Sequence, residues 1–183
     1  MEIEPLDDSK DPFSLGWNLP EGHLTGEDEL LLVKYARGLC VNLGTFRGRS
    51  SVIMSYYADQ VITVDCYVEP SFGHNEVVQA LAPYPNIDPI AHRTTAAAAG
   101  LQDESIDLLF VDAGHSRQDV IEDYQAYYPK LKTGAIVIFH DYKYMDGHVD
   151  SSMDVQGGVR EIMAGGTLEH VETAGWCFVG RKK

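Results

Sequence analysis

Basic residues, long apolar runs and paired cysteines are all scarce in this chain of 183 residues. It has 14 Lys and Arg against 28 Asp and Glu, and its first 29 residues contain nine acids and one lysine. An acidic surface repels phosphate backbones and anionic lipid headgroups. We therefore expect no nucleic acid and no membrane surface as partners.

The chain also lacks the signals of export. No apolar run reaches the length of about 18 residues that a membrane-spanning helix needs, and the N-terminus is acidic rather than basic. The three cysteines, Cys40, Cys66 and Cys177, are odd in number, far apart and embedded in apolar runs. This pattern argues against a disulfide framework or a zinc site. We expect reduced core cysteines, no signal peptide, no membrane span and a cytoplasmic location.

The length favours one domain with an adequate core. Residues 1–23 are rich in acids, proline and glycine and are predicted to form an acidic arm, whereas residues 24–183 are predicted to form the domain. The chain is too short for a cofactor domain plus a full substrate domain, which counts against a typical dehydrogenase. The oligomeric state is left open, and a homo-oligomer is compatible with the sequence.

Apolar strand-like runs alternate with helix-like segments along the domain. Strands are predicted at residues 39–43, 61–64, 87–91, 106–111 and 135–139. Helices are predicted at residues 25–37, 49–58, 74–81, 118–130 and 155–164. Several of the strands are almost entirely apolar, which is typical of parallel strands buried on both faces.

The end of the chain breaks this alternation. Two strand-like runs, 167–173 and 176–181, are joined only by Ala174 and Gly175. Two residues cannot form a parallel crossover, so these runs are predicted to form an antiparallel hairpin. We therefore expect an α/β fold, a Rossmann-like three-layer sandwich whose seven-stranded sheet is mostly parallel and closes with an antiparallel hairpin.

The segment from Leu39 to Asp65 is typical of the first half of a nucleotide-type cofactor site. An apolar strand leads into a loop with Gly44 and Gly48, a helix follows, and a second apolar strand ends at Asp65. The carboxylate of Asp65 can accept hydrogen bonds from ribose hydroxyls, and its distance from Gly44 is near the roughly 20 residues expected.

The same loop lacks the middle glycine of a dinucleotide site. That glycine lets the backbone approach a pyrophosphate, and here its position is taken by Phe46. S-adenosylmethionine (SAM) has a ribose and an adenine but no pyrophosphate. The loop therefore favours SAM over NAD(P) or FAD, with a turn that binds no ligand as the plain structural alternative.

A second group of polar residues follows the next two strands. Asp112 and His115 come after the fourth strand, and His140 and Asp141 after the fifth. Because ligands of open α/β sheets bind outside the carboxyl ends of the strands, these side chains should converge near Asp65. Two carboxylates and an imidazole suit Mg²⁺ or Mn²⁺, and a neutral histidine nearby can take a proton. Alternatively, the acids cap helices and His140 is a core residue.

These segments together resemble the class I SAM-dependent methyltransferases and, within them, are similar to the macrocin-type sugar O-methyltransferases. The resemblance covers roughly residues 22–181. The motifs that carry it are VNLGTFRGRSS, VITVD, IDLLFVDAGHS, LKTGAIVIFHDY and the late GGVREI helix.

This resemblance implies roles for particular residues. Asn42 stands where the superfamily usually has an acid, and Thr94–Thr95 replaces the acid usual near the adenine. In the metal site, Asp112 and Asp141 would be ligands together with His140, which takes the place of an acid. For the cofactor, Asp65 would bind the ribose, Asp112 would also contact the cofactor, and four residues of the glycine loop and the following helix would line its methionine end: Gly44, Thr45, Gly48 and Ser50. His115 would be the base. The loop of residues 143–158 would contact the acceptor.

The sequence thus predicts a SAM-dependent methyltransferase that transfers a methyl group to a hydroxyl of a small-molecule acceptor, with assistance from a metal ion. Three alternatives stay open. They are a SAM-binding module without catalysis, a metal-dependent hydrolase or hydroxylase that uses the same acids and histidines, and an NAD(P) reductase.

Overall fold

The structure is a computed structural model that describes residues 19–67, 73–143 and 153–183. Six α-helices lie in these ranges: α1 (Gly26–Tyr35), α2 (Arg49–Ser55), α3 (His74–Leu81), α4 (Thr94–Ala97), α5 (Arg117–Tyr127) and α6 (Val155–Ala164). Seven strands accompany them: β1 (Leu39–Leu43), β2 (Gln60–Asp65), β3 (Ile87–Ala91), β4 (Ile106–Val111), β5 (Leu131–Phe139), β6 (Leu168–Ala174) and β7 (Cys177–Lys182). Short 3₁₀ turns follow α4 and α5.

The strands form one sheet in the order β3-β2-β1-β4-β5-β7-β6. The pairs from β3 to β5 are parallel, and β7 pairs antiparallel with both β5 and β6. The chain proceeds from β1 outward to β3 and then returns to place β4 on the other side of β1. This reversal creates a crevice above the carboxyl ends of β1 and β4, where α/β sheets bind ligands.

Helices cover both faces of the sheet. On one face, apolar residues of α5 and α6, such as Tyr124 and Val159, pack with Val41 and Leu109. On the other face, α1 and α2 pack against strand residues such as Phe110. The predicted Rossmann-like three-layer sandwich with a C-terminal antiparallel hairpin is therefore confirmed.

Helix α1 begins with a capping box, which the residue types and spacing of Thr25 and Asp28 predict. The Thr25 hydroxyl accepts from the backbone N–H of Asp28 at 3.3 Å, and the Asp28 carboxylate accepts from the Thr25 N–H at 2.7 Å. The spacing of Leu30, Val33 and Ala36 predicts a shared apolar face, and for Leu30 this is wrong, because its side chain is 47% exposed. The buried side of α1 instead carries Leu31, Leu32 and Tyr35.

Most predicted boundaries agree with the structure to within a few residues. Strand β5 starts at Leu131, before the predicted residue 135, and the hairpin turn is formed by Gly175 and Trp176 rather than Ala174 and Gly175. Cys40 and Cys177 are buried free thiols as expected, but Cys66 is exposed, so its prediction as a core residue is wrong. It follows β2 directly, where the chain leaves the sheet.

Among the described residues, no helix combines the length and the apolar character needed to cross a bilayer. Residues 1–18 of the predicted acidic arm lie outside the described residues, as do residues 144–152 of the predicted acceptor loop. The remainder of the arm contacts the domain, because Leu19 packs against the core of the α1–α2 face.

Candidate active site

The loop after β1 approaches the end of β4 very closely. Gly44 has φ +88°, and a Cβ atom built there would lie 1.9 Å from the carbonyl oxygen of Asp112. Gly48, with φ +95°, precedes α2, and a Cβ there would lie 2.7 Å from Leu81. Any other residue would therefore meet both an unfavourable backbone conformation and a steric clash at these two positions.

A buried polar network lies beneath this loop. The Asn42 amide nitrogen donates to Ser51 Oγ and Thr63 Oγ1, each at 2.9 Å. The Thr45 and Thr63 hydroxyls are 2.7 Å apart. Asn42 is fully buried, so the structure places it under the loop as a support rather than in the cavity wall.

Asp65, at the end of β2, binds the same loop. Its Oδ2 accepts from the backbone N–H groups of Thr45 and Phe46 at 3.0 Å, and its Oδ1 accepts from the N–H of Tyr67 at 2.8 Å. A carboxylate offers about four lone-pair sites. One acceptor site therefore remains on Oδ1 for a ligand hydroxyl, which is compatible with the predicted ribose contact.

These elements surround a cavity of about 790 Å³ above the carboxyl ends of the strands, a volume in the range of small-molecule and cofactor sites. Most of the predicted site residues line it: Gly44, Thr45, Ser50, Asp65, Asp112, His115, His140 and Asp141. Asn42 and Gly48 do not. The roles of all these residues toward a ligand stay predictions.

Two carboxylates and an imidazole meet at the β4–β5 side of the cavity. Nε2 of His115 is 3.1 Å from Oδ2 of Asp141 and 3.7 Å from Oδ1 of Asp112. These three residues offer ligand atoms that all lie within 4.8 Å of one another. Asp141 reaches this position in a left-handed backbone conformation, with φ 57°.

The carboxylates control the charge of His115. Its hydrogen bonds with Asp112 and Asp141 raise its pKa to about 9, against the opposing effect of burial. A histidine with this pKa carries a proton at neutral pH. It can act as a base only when the charge of the two carboxylates is offset, as a divalent cation would do.

His140 lies behind this group and is only 3% exposed. Its Nδ1 is 3.1 Å from Oδ1 of Asp112 and 3.3 Å from Oδ1 of Asp141, and its Nε2 is 3.5 Å from Oδ2 of Asp28. Burial lowers the pKa of His140, but the three carboxylates outweigh burial and raise it. The ring therefore favours its protonated form between these acids, and its role as a metal ligand stays a prediction.

Sequence reasoning missed the part that Asp28 plays here. This fully buried acid also accepts from the N–H of Trp176 at 2.8 Å. Burial raises its pKa, but hydrogen bonds from His140, Thr25 and Trp176 bring it down to about 2. The capping-box pattern located Asp28 at a helix start, but no local signal indicates that its carboxylate reaches the ends of β5 and β7.

Arg49 holds the segment before α1 against the cavity. Its Nε is 2.5 Å from Oε1 of Glu29, and its Nη1 donates to the carbonyl of Pro20 at 3.0 Å. The rings of His23 and Phe46 are also in contact, with centroids 5.5 Å apart. Residues 22–24 of this segment form part of the cavity wall next to the glycine loop.

Solved structures with the same fold come from methyltransferases of different kinds. A Staphylococcus aureus protein assigned as a caffeoyl-CoA O-methyltransferase has a TM-score of 0.68 at 17% identity, covering 85% of this chain and 80% of that one. A second structure is the 1,6-didemethyltoxoflavin-N1-methyltransferase of Burkholderia thailandensis, solved with 1,6-didemethyltoxoflavin and S-adenosylhomocysteine bound. It has a TM-score of 0.62 at 13% identity, covering 85% of this chain and 76% of that one. An rRNA methylase of Streptococcus thermophilus has a TM-score of 0.61 at 13% identity, covering 85% of this chain and 93% of that one.

These identities are low, so the neighbours establish the fold and leave the acceptor open. Among curated proteins, the uncharacterized protein y4gI of Sinorhizobium fredii is 43% identical over 47 residues, or 26% of this chain. The match spans only 5% of that protein's length. The sequence also matches a family described as a methyltransferase domain over residues 41–142, which is more than half of the chain and includes most of β1 and all of β2 to β5. The chain belongs to this methyltransferase-domain family, and this membership implies that it uses SAM.

Proposed function

We propose that this protein transfers a methyl group from SAM to a hydroxyl oxygen of a small-molecule acceptor, and that it is related to the macrocin-type O-methyltransferases. One observation carries the proposal. A single cavity joins the glycine loop and Asp65 to the group formed by Asp112, His115 and Asp141. A cofactor-binding loop and a set of proton-transfer and metal-binding side chains thus face the same space.

The donor set fits a divalent cation of the Mg²⁺ or Mn²⁺ type. Asp112 and Asp141 supply hard oxygen ligands, and Nε2 of His115 lies beside both carboxylates, 3.7 Å and 3.1 Å from their nearest oxygens. When bound, the cation would hold the acceptor hydroxyl, lower its pKa and offset the charge of the two carboxylates. His140, which lies between them and Asp28, would hold those carboxylates from behind.

The residues of the chain have separate tasks in this proposal. Asp65 binds the ribose and fixes the loop that surrounds the methionine end. His115 takes the proton of the acceptor hydroxyl at Nε2 as the oxygen attacks the methyl carbon. The sulfonium of SAM is already a good leaving group, so positioning and exclusion of water supply most of the rate enhancement.

We also propose that the acceptor is a small molecule rather than a nucleic acid. The net charge of −14 and the acids around the cavity support this, because both repel a phosphate backbone. The proposed division places the methyltransferase domain at residues 24–183 and an arm at 1–23. The contact of Arg49 with Pro20 supports a role of the arm's end in covering the cofactor.

A thermal-shift screen with SAM, S-adenosylhomocysteine and NADH, each with Mg²⁺, Mn²⁺ or a chelator, tests the proposal. We expect SAM and S-adenosylhomocysteine to stabilise the protein and NADH not to stabilise it. Acceptors are then screened by methyl transfer from labelled SAM. Stabilisation by NADH alone would select a reductase, and metal-dependent turnover that is indifferent to SAM would select a hydrolase or hydroxylase. Binding of SAM without transfer to any acceptor of a broad panel would favour a binding module.

A further inference from the structure

Asp28 joins the start of α1 to the β6–β7 hairpin behind the reacting group. It lies in the first turn of the helix and is fully buried. Its Oδ2 accepts from the N–H and from the hydroxyl of Thr25, each at 2.7 Å. Its Oδ1 accepts from the N–H of Trp176 at 2.8 Å and from the thiol of Cys177 at 3.3 Å. The carboxylate is therefore held in place from two sides.

The third side of this carboxylate faces the ring of His140. Nε2 of the ring is 3.5 Å from Oδ2 of Asp28. Nδ1 of the same ring is 3.1 Å from Oδ1 of Asp112 and 3.3 Å from Oδ1 of Asp141. The imidazole is rigid, so a contact that fixes Nε2 also fixes the direction of Nδ1.

The capping of α1 does not by itself require such a buried acid. A capping-box carboxylate needs only to accept from the backbone at the start of the helix. Aspartate is almost never fully buried unless it is paired, because burying a charge is costly. The neighbouring Glu27 shows the contrast, since it accepts from the N–H of Gly175 in the same hairpin at 2.8 Å and is exposed. The burial of Asp28 against His140 therefore points to a role beyond the cap.

We propose that Asp28 is a positioning residue for the divalent cation. It holds Nε2 of His140, so that Nδ1 faces Asp112 and Asp141 and keeps their carboxylates in place. This role rests on the proposed function, which assigns the cation to these two acids. Replacing a group that holds metal-binding side chains from outside typically lowers metal affinity about 10–100-fold. The cofactor should be less affected, because His140 follows β5, and β4 separates that strand from β1 and the glycine loop.

The test measures the affinity for Mn²⁺, from the electron paramagnetic resonance signal of the free ion, with S-adenosylhomocysteine present. The proteins are the wild type, Asp28→Asn, His140→Gln and the double variant. We expect Asp28→Asn to bind Mn²⁺ roughly tenfold more weakly or worse than the wild type. The double variant should bind no more weakly than His140→Gln, because Asp28 acts through that ring. Titration calorimetry should show that S-adenosylhomocysteine affinity persists, which a general loss of structure would not allow.

Glu27→Gln is the matched control. It removes a carboxylate from the same helix turn and keeps an oxygen that can accept from the N–H of Gly175. We expect its Mn²⁺ affinity and its Tm to equal those of the wild type. If Asp28→Asn alone does not fold, the double variant still should, because losing both members of a buried pair costs less than leaving one uncompensated. Circular dichroism reports the folding of each variant.

A folded Asp28→Asn protein that binds Mn²⁺ as tightly as the wild type would overturn the inference. So would an equal loss of affinity in Glu27→Gln, or a double variant that does not fold, since Asp28 would then serve the fold independently of His140. A wild type that does not bind Mn²⁺ would overturn it as well. In these cases S-adenosylhomocysteine still binds the wild type, so the proposed use of SAM stands. Failure of the wild type to bind S-adenosylhomocysteine would instead overturn the proposed function.

Discussion

Replacing Asp65 by asparagine tests whether one carboxylate both fixes the glycine loop and binds the cofactor. The carboxylate accepts from the backbone N–H groups of Thr45, Phe46 and Tyr67. Asparagine has a single acceptor oxygen, and its amide nitrogen would face at least one of these donors. The loop would therefore lose a charge-assisted hydrogen bond and leave a backbone donor unpaired, even without ligand.

The expected loss of stability is about 1–3 kcal/mol, the usual cost of an unsatisfied donor or a bond to a charged group. For a chain of this length that corresponds to a fall in Tm of about 2–12 °C. Urea unfolding monitored by circular dichroism gives the free energy of unfolding, and titration calorimetry gives the affinity for S-adenosylhomocysteine. We expect both to decrease in Asp65→Asn.

Asp103→Asn is the matched control. The Asp103 carboxylate forms an exposed ion pair with Lys130 at 2.6 Å, and neither residue lines the cavity. Surface pairs contribute at most about 1 kcal/mol, so stability should hardly change and affinity should not change. An Asp65→Asn variant as stable as the wild type would refute the role of Asp65 in the loop. Unchanged affinity for S-adenosylhomocysteine would refute its role at the ribose.

Three further predictions concern the cavity. His115→Ala should lower kcat by roughly 10²–10⁴-fold, the usual contribution of a general base, while the affinities for S-adenosylhomocysteine and Mn²⁺ persist. Asp123→Asn should raise the Tm of the ligand-free protein at pH 7.5 and not at pH 4.5. Burial raises the pKa of Asp123 to about 6, so wild-type stability falls as the pH rises from about 4 through 6, by about 1–3 kcal/mol, and asparagine lacks this penalty. Iodoacetamide should label Cys66, which is exposed at the cavity, ahead of the buried Cys40 and Cys177, and S-adenosylhomocysteine should slow the reaction.

Each of these predictions has a control and a contrary result. His170→Ala changes an exposed histidine of β6 and should retain full turnover, whereas loss of Mn²⁺ affinity in His115→Ala would make His115 a ligand instead of the base. Equal Tm shifts of Asp123→Asn at both pH values would show that ionisation does not govern its effect. Labelling of Cys66 at the same rate with and without S-adenosylhomocysteine would place the cofactor elsewhere.

The order of elements was predictable because the apolar strands are nearly uninterrupted and are separated by clear turn signals. The convergence of Asp65, Asp112 and Asp141 also followed from sequence, since parallel strands must end at one edge of the sheet. A connection of only two residues, placed at Ala174 and Gly175, was enough to predict the antiparallel hairpin, although the turn lies one residue later. These features depend on local pattern and on general rules of sheet topology.

Contacts between distant segments could not be predicted in this way. Asp28 reads locally as a helix cap, yet its carboxylate meets His140 across more than a hundred residues of sequence. The acid at Asp123 lies on a helix whose pattern gives no sign that one side chain faces a cavity. The exposure of Cys66 and Leu30 likewise depends on where a strand or helix ends relative to the layers packed on it. Such placements are decided by tertiary packing.

A crystal structure with S-adenosylhomocysteine and Mn²⁺ tests the central claim most directly, because the claim concerns where one ligand lies in one cavity. We predict that the ribose hydroxyls bond to Asp65, that the sulfur faces the group of Asp112, His115 and Asp141, and that an anomalous peak for Mn²⁺ lies between the two carboxylates. A ligand bound away from Asp65, or one whose sulfur points away from Asp112 and Asp141, would contradict the account.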